Sequence, residues 1–321
     1  MTLARPPYDP ELRAYLDTIV SDQRAPLDLA TIPDQRDAIN ASFPTIDTVI
    51  GETGLEHVEL TVPGPDGAPD ITLSVVRRPG AEGSTPCVYH IHGGGMVLGN
   101  RHTGAEVFPE WIDTFGVTVV SVEYRLAPEH PHPAPVSDCY AGLRWVADHA
   151  ADLGIDPARI LITGGSAGGG LAAATTLMAR DLGGPALIGQ LLLCPMLDDR
   201  DATVSTRQFE GIGLWDRRDN VTGWTALLGD ARGTADVSPY GAPARASDLG
   251  GLPPTFLDCG SAEVFRDETV EYASRIWAAG GQAELHIWAG GFHGFGRAAH
   301  TNVARAAKAA IDSWLARVLG S

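Results

Sequence analysis

The sequence predicts an α/β fold in which an eight-stranded, mostly parallel sheet is flanked by helices and covered by a cap. Short β-branched runs alternate with longer helical patterns from about residue 55 to the end of the chain, as in a parallel sheet with helices packed on it. The turn-rich segment 63–69 joins the first two runs and is too short for a crossover helix, so this pair is expected to be antiparallel. A length of 321 residues is compatible with one sheet.

Each predicted strand is a short run rich in β-branched, aliphatic or aromatic residues. The expected strands are His57–Val62, Ile71–Arg77, Cys87–His92, Val117–Tyr124, Ile160–Thr163, Leu187–Cys194, Thr255–Gly260 and Ala283–Trp288. Helical patterns lie among them, and the second of these opens with small residues that permit close approach to a strand. The helical patterns cover Pro135–Leu153, Ala167–Leu182, Arg266–Ala279 and Thr301–Leu319.

Two segments do not follow the alternation of strands and helices. Residues 1–50 have a polar, helix-like sequence, and residues 197–250 form an insert far longer than the roughly 2–6 residues of a plain connection. Long inserts of this kind are often lids or binding elements, and this one contains two tryptophans. We therefore interpret both segments as one cap over an α/β core formed by residues 51–196 and 251–321. A purely decorative insert is the alternative.

The charge balance excludes several classes of partner. The chain has 23 basic and 40 acidic side chains, a formal charge of −17, and a single lysine, Lys308. Nucleic acids and anionic membrane surfaces are not expected to bind, because both are held by cations that displace counterions. The sequence has neither the apolar core of an export signal nor the ~18 apolar residues of a membrane span, so we expect a cytoplasmic protein. The cysteines form no CxxC pair and are expected to be free buried thiols; they are Cys87, Cys139, Cys194 and Cys259.

The most informative segment is residues 164–168, Gly-Gly-Ser-Ala-Gly, which follows a predicted strand and opens a predicted helix. A nucleophile elbow needs this context, since its serine occupies a strained turn where only glycine avoids a clash on either side. Ser166 is therefore the predicted nucleophile. The same stretch matches the dinucleotide loop of short-chain dehydrogenases, but that loop follows the first strand. The Tyr-x-x-x-Lys pair of those enzymes is also missing, because Ala304 stands four residues before Lys308.

A second glycine motif, residues 92–96 (His-Gly-Gly-Gly-Met), follows the third predicted strand. Consecutive glycines leave their amide hydrogens unobstructed, and an oxyanion needs two or three such donors held in place. We predict that the amides of Gly94, Gly95 and Ala167 form this oxyanion hole.

A serine hydroxyl is a weak nucleophile near neutral pH, so a base must accept its proton. His293 lies in a glycine-flanked loop directly after the last predicted strand, at the sheet edge that carries the elbow. An acid between the serine and this histidine would give the chain order nucleophile, acid, base. Glu263 lies just past a predicted strand and is our choice. Asp267, placed where a helix cap is expected, and Asp258, within the strand, remain alternatives.

Together these residues resemble the bacterial hormone-sensitive-lipase family of carboxylesterases, which has the α/β-hydrolase fold. The resemblance covers nearly the whole chain and rests also on residues 124–129 (Tyr-Arg-Leu-Ala-Pro-Glu), 135–140 (Pro-Val-Ser-Asp-Cys-Tyr) and 293–295 (His-Gly-Phe). It implies hydrolysis of short- to medium-chain esters without a cofactor, a cap built from the N-terminus and the insert, and homodimers formed through the last strand. It further implies that Glu129 and Asp138 support the glycine loop.

Two positions depart from the family's pattern. The family's acid lies in a motif similar to Asp-Pro-Leu-Arg-Asp, whereas residues 263–267 read Glu-Val-Phe-Arg-Asp. Met96 stands where an aromatic residue is common. The first departure leaves the choice of acid open, and the second is expected to reshape the acyl pocket.

We therefore predict a serine carboxylesterase that acts on a small-molecule ester and uses no metal. Met96, Trp215 and Trp224 are expected to enclose a compact apolar site that prefers short acyl chains. One rival function is a non-catalytic small-molecule receptor on the same fold, which the complete triad argues against. The other is a metal hydrolase built on the His-x-His pairs at 90–92 and 130–132.

Overall fold

An eight-stranded sheet runs through the computed structural model, which describes residues 3–20, 26–80 and 83–320. In chain order the strands are β1 (Glu56–Val62), β2 (Ile71–Arg77), β3 (Thr85–Ile91), β4 (Thr118–Glu123), β5 (Ile155–Gly165), β6 (Gly189–Leu193), β7 (Thr255–Gly260) and β8 (Ala283–Trp288). They lie in the order β1-β2-β4-β3-β5-β6-β7-β8. Strand β2 is antiparallel to both of its neighbours, and every other adjacent pair is parallel. The predicted fold class and the antiparallel first pair are confirmed.

The strand bounds agree closely with the prediction, and β2, β7 and β8 begin and end at the predicted residues. The largest difference is in β5, which begins at Ile155 rather than Ile160. Ile155 pairs with Thr85 across an irregularity in the register. The intervening residues 156–159, Asp-Pro-Ala-Arg, contain no β-branched side chain, so the pattern gave no sign of this extension.

Helices fill the connections between strands. Within the described residues they are α1 (Pro10–Ile19), α2 (Ile32–Asn40), α3 (Ile46–Ile50), α4 (Phe108–Phe115), α5 (Ala134–Asp148), α6 (Ala150–Leu153), α7 (Ala167–Asp181), α8 (Val204–Gln208), α9 (Arg217–Leu228), α10 (Arg266–Ala278) and α11 (Asn302–Leu319). The helix predicted over Pro135–Leu153 is two helices, because His149 leaves the helical conformation at φ −110°. The sequence pattern did not predict α4.

Side chains of the central strands alternate between two hydrophobic clusters, one on each face of the sheet. In β5, Ile160 and Ile162 belong to the cluster that includes residues of α5 and α7. Leu161 points to the other face and joins the cluster that includes residues of α4 and α11. All three are fully buried, and burying such a side chain contributes about 1.5–3 kcal/mol. Packing on both faces therefore anchors the strand whose C-terminal end leads into Ser166.

The N-terminal segment and the long insert contact each other and the core. The amide of Leu27 donates to Asp219 Oδ1 at 2.9 Å, and Thr222 Oγ1 donates to the Leu27 carbonyl at 3.2 Å. Arg36 of α2 donates to the carbonyl of Val97, next to the glycine loop, at 2.7 Å. Residues 1–50 and 197–250, which the sequence assigns to one cap, thus meet in space, although 1–2 and 21–25 lie outside the described residues.

None of the described helices combines the length and the apolar character needed to cross a bilayer. All four cysteines are free. Cys87, Cys139 and Cys259 are buried, as predicted, but Cys194 is partly exposed. Cys194 lies just past the end of β6 and not within the predicted strand, which leaves the residue partly exposed although protein surrounds its thiol.

Candidate active site

Ser166 lies at the turn from β5 to α7 with φ 58° and ψ −123°, a backbone conformation that side chains rarely adopt. Holding one residue in such a region costs about 1–3 kcal/mol. Glycines make the turn sterically possible. A Cβ at Gly164 would lie 2.3 Å from the Gly168 carbonyl, and a Cβ at Gly168 would lie 2.1 Å from the Ile91 oxygen. Ala167 is the first residue of α7, so its amide hydrogen has no partner within the helix.

His293 stands between a hydroxyl and a carboxylate. Its Nε2 lies 3.0 Å from Ser166 Oγ, and its Nδ1 lies 2.6 Å from Glu263 Oε2. An ionised carboxylate can only accept, so Nδ1 carries the proton and Nε2 is left to accept from the serine. The other carboxylate oxygen of Glu263 accepts from the amide of Gly260 at 2.9 Å, which fixes the side chain from the end of β7. These three side chains lie at the C-terminal edge of the sheet.

The other two acids that the sequence left open do not contact His293 in the structure. Asp258 Oδ2 accepts from Trp288 Nε1 at 3.1 Å, and burial raises the pKa of this carboxyl to about 7. Asp267 Oδ2 accepts from the amide of Ser205 at 2.7 Å. The expectation that Asp267 caps its own helix is therefore wrong, since its carboxylate binds the first turn of α8 instead.

The glycine loop lies against the elbow. A Cβ at Gly93 would be 2.8 Å from the carbonyl oxygen of Gly165, and a Cβ at Gly94 would be 2.2 Å from that of Leu98. Gly94 and Gly95 have φ values of 118° and 64°, in the region that favours glycine. In the described part of the chain, no acceptor is found for the amide hydrogen of either residue. The loop can therefore offer both amides to an oxygen atom placed near Ser166.

Side chains on several elements hold this loop. Tyr124 stacks on His92, with ring centroids 4.1 Å apart, and its hydroxyl donates to the His92 carbonyl at 2.8 Å. Arg36 donates to Glu129 and to the carbonyl of Ala127, whose own amide donates to the Met96 carbonyl.

Asp138 is fully buried and accepts from the backbone amide and the guanidinium of Arg125. Arg36 thus links Glu129 to Val97 beside the glycine loop, whereas Asp138 holds Arg125, the residue after Tyr124.

The residues predicted to contact substrate differ in their surroundings. Trp215 lies over the glycine loop: a Cβ at Gly95 would meet its ring at 2.2 Å, and its ring centroid is 6.4 Å from that of His293. Trp224 is 0% exposed and Met96 is 1% exposed. Both side chains are almost inaccessible to water, and Trp215 is itself only 9% exposed, so contact with substrate stays a prediction for all three residues. Met96 and Trp224 pack in the core behind the site.

Two neighbours of the site escaped the sequence analysis. The ring of Phe265 meets the imidazole of His293 edge-on, with centroids 5.1 Å apart. The Cys194 sulfur, Glu263 and His293 offer ligand atoms that all lie within 4.8 Å of one another. Burial raises the pKa of the Cys194 thiol well above its usual range, and Glu263 adds to the rise. Cys194 could have been found from its position, since parallel strands β5 and β6 end at the same edge of the sheet.

The His-x-His pairs do not form a metal site. His90 Nδ1 lies 3.0 Å from Ser121 Oγ, and burial lowers the pKa of His90 to about 3. His92 Nδ1 bonds to the carbonyl of Gly93. Among the described residues, neither these histidines nor His130 and His132 belong to a cluster of three metal-binding side chains.

A strained serine, an imidazole and a carboxylate at the C-terminal edge of a parallel sheet, beside a loop of free amides, define a serine hydrolase. A family model described as alpha/beta hydrolase fold matches residues 88–297, and the chain belongs to this family. The resemblance to hormone-sensitive-lipase-type esterases that the sequence indicated is confirmed.

Curated relatives and solved structures agree with this assignment. The chain is 37% identical over 289 residues to Carboxylesterase NlhH of Mycobacterium tuberculosis, covering 88% of this chain and 87% of that protein. Its structure is similar to that of Bacterial Heroin Esterase, with a TM-score of 0.90, 40% identity and 98% of both chains covered. It is also similar to esterase LipW from Mycobacterium marinum, with a TM-score of 0.84, 33% identity and 98% of both chains covered. The similarity therefore extends over the core and both segments of the predicted cap.

Proposed function

We propose that this protein is a serine carboxylesterase that hydrolyses short- to medium-chain esters through an acyl-enzyme on Ser166. The observation that carries the proposal is the position of His293, whose two ring nitrogens lie 3.0 Å from Ser166 Oγ and 2.6 Å from Glu263 Oε2. Family membership and the similarity to carboxylesterase NlhH and the heroin esterase support an ester as the substrate. A non-catalytic receptor is not favoured, because it would not need this arrangement.

In the first step, His293 Nε2 accepts the hydroxyl proton while Ser166 Oγ attacks the ester carbonyl carbon. Glu263 accepts a hydrogen bond from Nδ1 and stabilises the imidazolium. The imidazolium then gives its proton to the leaving alkoxide oxygen, the bond from that oxygen to the carbonyl carbon breaks, and the alcohol departs. The acyl group stays on Ser166.

The carbonyl oxygen becomes negative in this step and needs hydrogen-bond donors. We propose that the amides of Gly94, Gly95 and Ala167 supply them, each lowering the barrier by about 2.7–4 kcal/mol when aligned. Ala167 adds the positive end of the α7 dipole. In the second step, His293 accepts a proton from water as the water oxygen attacks the acyl carbon. The bond between that carbon and Ser166 Oγ then breaks, the imidazolium returns its proton to Oγ, and the carboxylic acid leaves.

The acyl chain is proposed to lie against Trp215, beneath a cap formed by residues 1–50 and 197–250. Trp215 supports this position because it approaches both the glycine loop and His293. Met96 and Trp224 are proposed to shape the wall from behind. A large aromatic ring so close to the reacting carbon leaves little room, so short chains should be preferred.

The proposal is tested with p-nitrophenyl esters from acetyl to palmitoyl and with a serine-trapping phosphonate. Ser166→Ala should reduce kcat by up to about 10⁶-fold and should abolish phosphonate labelling, whereas the surface variant Ser42→Ala should match the wild type. Hydrolysis by Ser166→Ala at near wild-type rates would overturn the proposed nucleophile. A rate that climbs steadily from acetyl to palmitoyl esters would overturn the proposed chain preference.

We also propose that the protein forms a homodimer through β8. This strand lies at the edge of the sheet, and it carries Ile287, which is 36% exposed. Val270 and Trp277, on the adjacent α10, are also exposed. Size-exclusion chromatography with light scattering should give twice the chain mass of 33.8 kDa. A mass of 33.8 kDa would contradict the proposal.

A further inference from the structure

A thiol, a carboxylate and an imidazole converge beside the nucleophile. The ligand atoms of Cys194, Glu263 and His293 lie within 4.8 Å of one another, and no other cluster of this kind occurs among the described residues. The backbone conformation at Cys194 places its thiol beside Glu263 and His293. The amide of Cys194 still donates to the Asp258 carbonyl of β7 at 2.7 Å, but its φ of 37° turns the chain there, so the strand ends.

The three ligand types select a metal class. Thiolate sulfur, imidazole nitrogen and carboxylate oxygen are the ligands of Zn²⁺, whereas Mg²⁺ and Ca²⁺ prefer oxygen alone. Zinc sites that are open to solvent usually have three protein ligands and a water molecule in the fourth position. Cys194 is partly exposed as a residue and the His293 side chain is 11% exposed, so the cluster lies close to the protein surface.

We propose that Cys194, Glu263 and His293 form an inhibitory site for a thiophilic divalent cation such as Zn²⁺ or Cd²⁺. On binding, the Cys194 thiol proton and the Nδ1 proton of His293 pass to solvent, and sulfur, nitrogen and oxygen each bond to the metal. Zn²⁺ stays divalent throughout, so no oxidant or reductant is needed. The inhibitory effect rests on the proposed esterase mechanism, whereas metal binding itself does not.

Occupancy of this site and catalysis exclude each other for a geometric reason. Tetrahedral zinc with ligands at about 2.0–2.3 Å places those ligand atoms about 3.3–3.6 Å apart. His293 Nδ1 and Glu263 Oε2 are 2.6 Å apart in the structure. The metal must therefore separate them and remove the hydrogen bond that orients the imidazole toward Ser166. The enzyme should lose activity in proportion to the fraction of sites occupied.

Two measurements test the proposal on the full chain. The first titrates Co²⁺, a spectroscopic substitute for Zn²⁺, and follows the thiolate-to-cobalt charge-transfer band. The second measures the Zn²⁺ concentration that halves p-nitrophenyl acetate hydrolysis, relative to the metal-free rate of the same variant. Losing only an outer partner of a metal ligand costs about 10–100-fold in affinity. Removing the ligand itself in Cys194→Ser should therefore raise the half-inhibitory concentration at least about tenfold and abolish the cobalt band.

Matched controls separate this site from other metal ligands on the protein. Cys139→Ser alters a buried thiol outside the cluster, and His300→Asn removes an exposed imidazole outside the cluster. Both controls should keep the wild-type cobalt band and zinc sensitivity. Cys194→Ala serves as a second variant in case serine at this position destabilises the fold, and circular dichroism checks both.

Each outcome tests a different part of the proposed site. A cobalt band that persists in Cys194→Ser and Cys194→Ala, or zinc inhibition equal in these variants and the wild type, would overturn the site. An active wild-type enzyme that zinc does not inhibit would overturn it as well and would leave the proposed function standing. A Cys194-dependent cobalt band in a protein without esterase activity would support the metal site and overturn the proposed function.

Discussion

Glu263 binds His293 through one carboxylate oxygen and the amide of Gly260 through the other. The carboxylate is therefore fixed at both ends, by the imidazole it orients and by the strand end from which its loop departs. Its side chain is 1% exposed, so water does not compete for the contact with Nδ1. The rigidity of this pair sets the direction in which the imidazole faces Ser166.

Glu263→Gln should lower kcat by about 10³–10⁴-fold while leaving KM within a few-fold. The amide can donate a hydrogen bond to Nδ1 and so favour the wrong tautomer of His293, an effect that costs about 10⁴-fold in a related triad. Steady-state kinetics with p-nitrophenyl butyrate measure it. Asp267→Asn, which changes an acid outside the triad, is the control and should stay within a few-fold of the wild type. Equal losses in the two variants would reassign the acid.

Gly95→Ala should reduce kcat by about 10²–10³-fold, the effect of losing one oxyanion donor. The new Cβ would lie 2.2 Å from the Trp215 ring, so either the ring or the loop must move. Gly183→Ala is the matched control, because Gly183 also has a positive φ, 62°, but open space around its Cβ position. Comparable kcat values in the two variants would mean that the clash does not disturb the donors.

Arg36→Ala should reduce kcat about tenfold or more with a smaller change in KM. Its guanidinium joins α2 to Glu129 and to the Val97 and Ala127 carbonyls, so its loss frees the glycine loop on one side. Hydrogen bonds from charged groups contribute about 1.5–3 kcal/mol, which corresponds to roughly 10–150-fold if the loop order is lost.

Arg13→Ala provides the comparison for Arg36→Ala. It removes an exposed ion pair with Asp17 on α1, of a type worth about 0–1 kcal/mol. Its kcat should stay at the wild-type value. Identical kcat and KM in the two variants would argue that α2 does not support the loop.

Asp258→Asn should stabilise the fold more at pH 8 than at pH 5. Burial raises the pKa of Asp258 from 3.8 to about 7. The unfolded chain therefore loses this proton at a lower pH than the folded chain does, and stability falls as pH rises from about 4 to about 7. Asparagine removes this loss and can still accept from Trp288 Nε1. Thermal melts of the wild type and of Asp258→Asn at both pH values measure this effect. A Tm difference between the two proteins that is the same at pH 5 and pH 8 would contradict the raised pKa.

Trp215→Ala should shift the substrate preference toward longer acyl chains. The ring lies over Gly95 and beside His293, so its removal opens space at the reacting carbon. The ratio of kcat/KM for octanoyl and acetyl esters should rise several-fold. Trp277→Ala removes a 47% exposed ring on α10, outside the proposed acyl site, and should leave the ratio unchanged. An unchanged ratio in Trp215→Ala would place the acyl chain elsewhere.

The sequence predicted the sheet and the nucleophile because both follow from local rules. A strand leading into a turn at Ser166 forces glycine at 164 and 168, and the structure gives the reason in the carbonyl groups that a Cβ would strike. The choice among Glu263, Asp267 and Asp258 depended instead on how loops cross after β7. Chain order cannot supply that information, since all three acids lie within ten residues of one another.

The surroundings of apolar and thiol side chains were harder to predict. Trp215 and Trp224 look alike in sequence, yet one turns toward the glycine loop and the other is fully buried. The two residues differ in position, because Trp224 lies within α9 whereas Trp215 precedes the Asp216 cap of that helix. Cys194 was expected in a strand and lies one residue beyond it, where a positive φ turns the chain.

The hydrogen bond between Leu27 and Asp219 joins residues that are 192 positions apart. A ribosome adds about 5–20 residues per second, so roughly 10–40 s separate the synthesis of the two partners. During that interval the newly made N-terminal helices have no insert to dock on, and their apolar side chains Leu12 and Leu16 must wait for the last helix to emerge. The N-terminal segment should therefore complete its contacts over the nucleophile only after the insert and α11 have both been made.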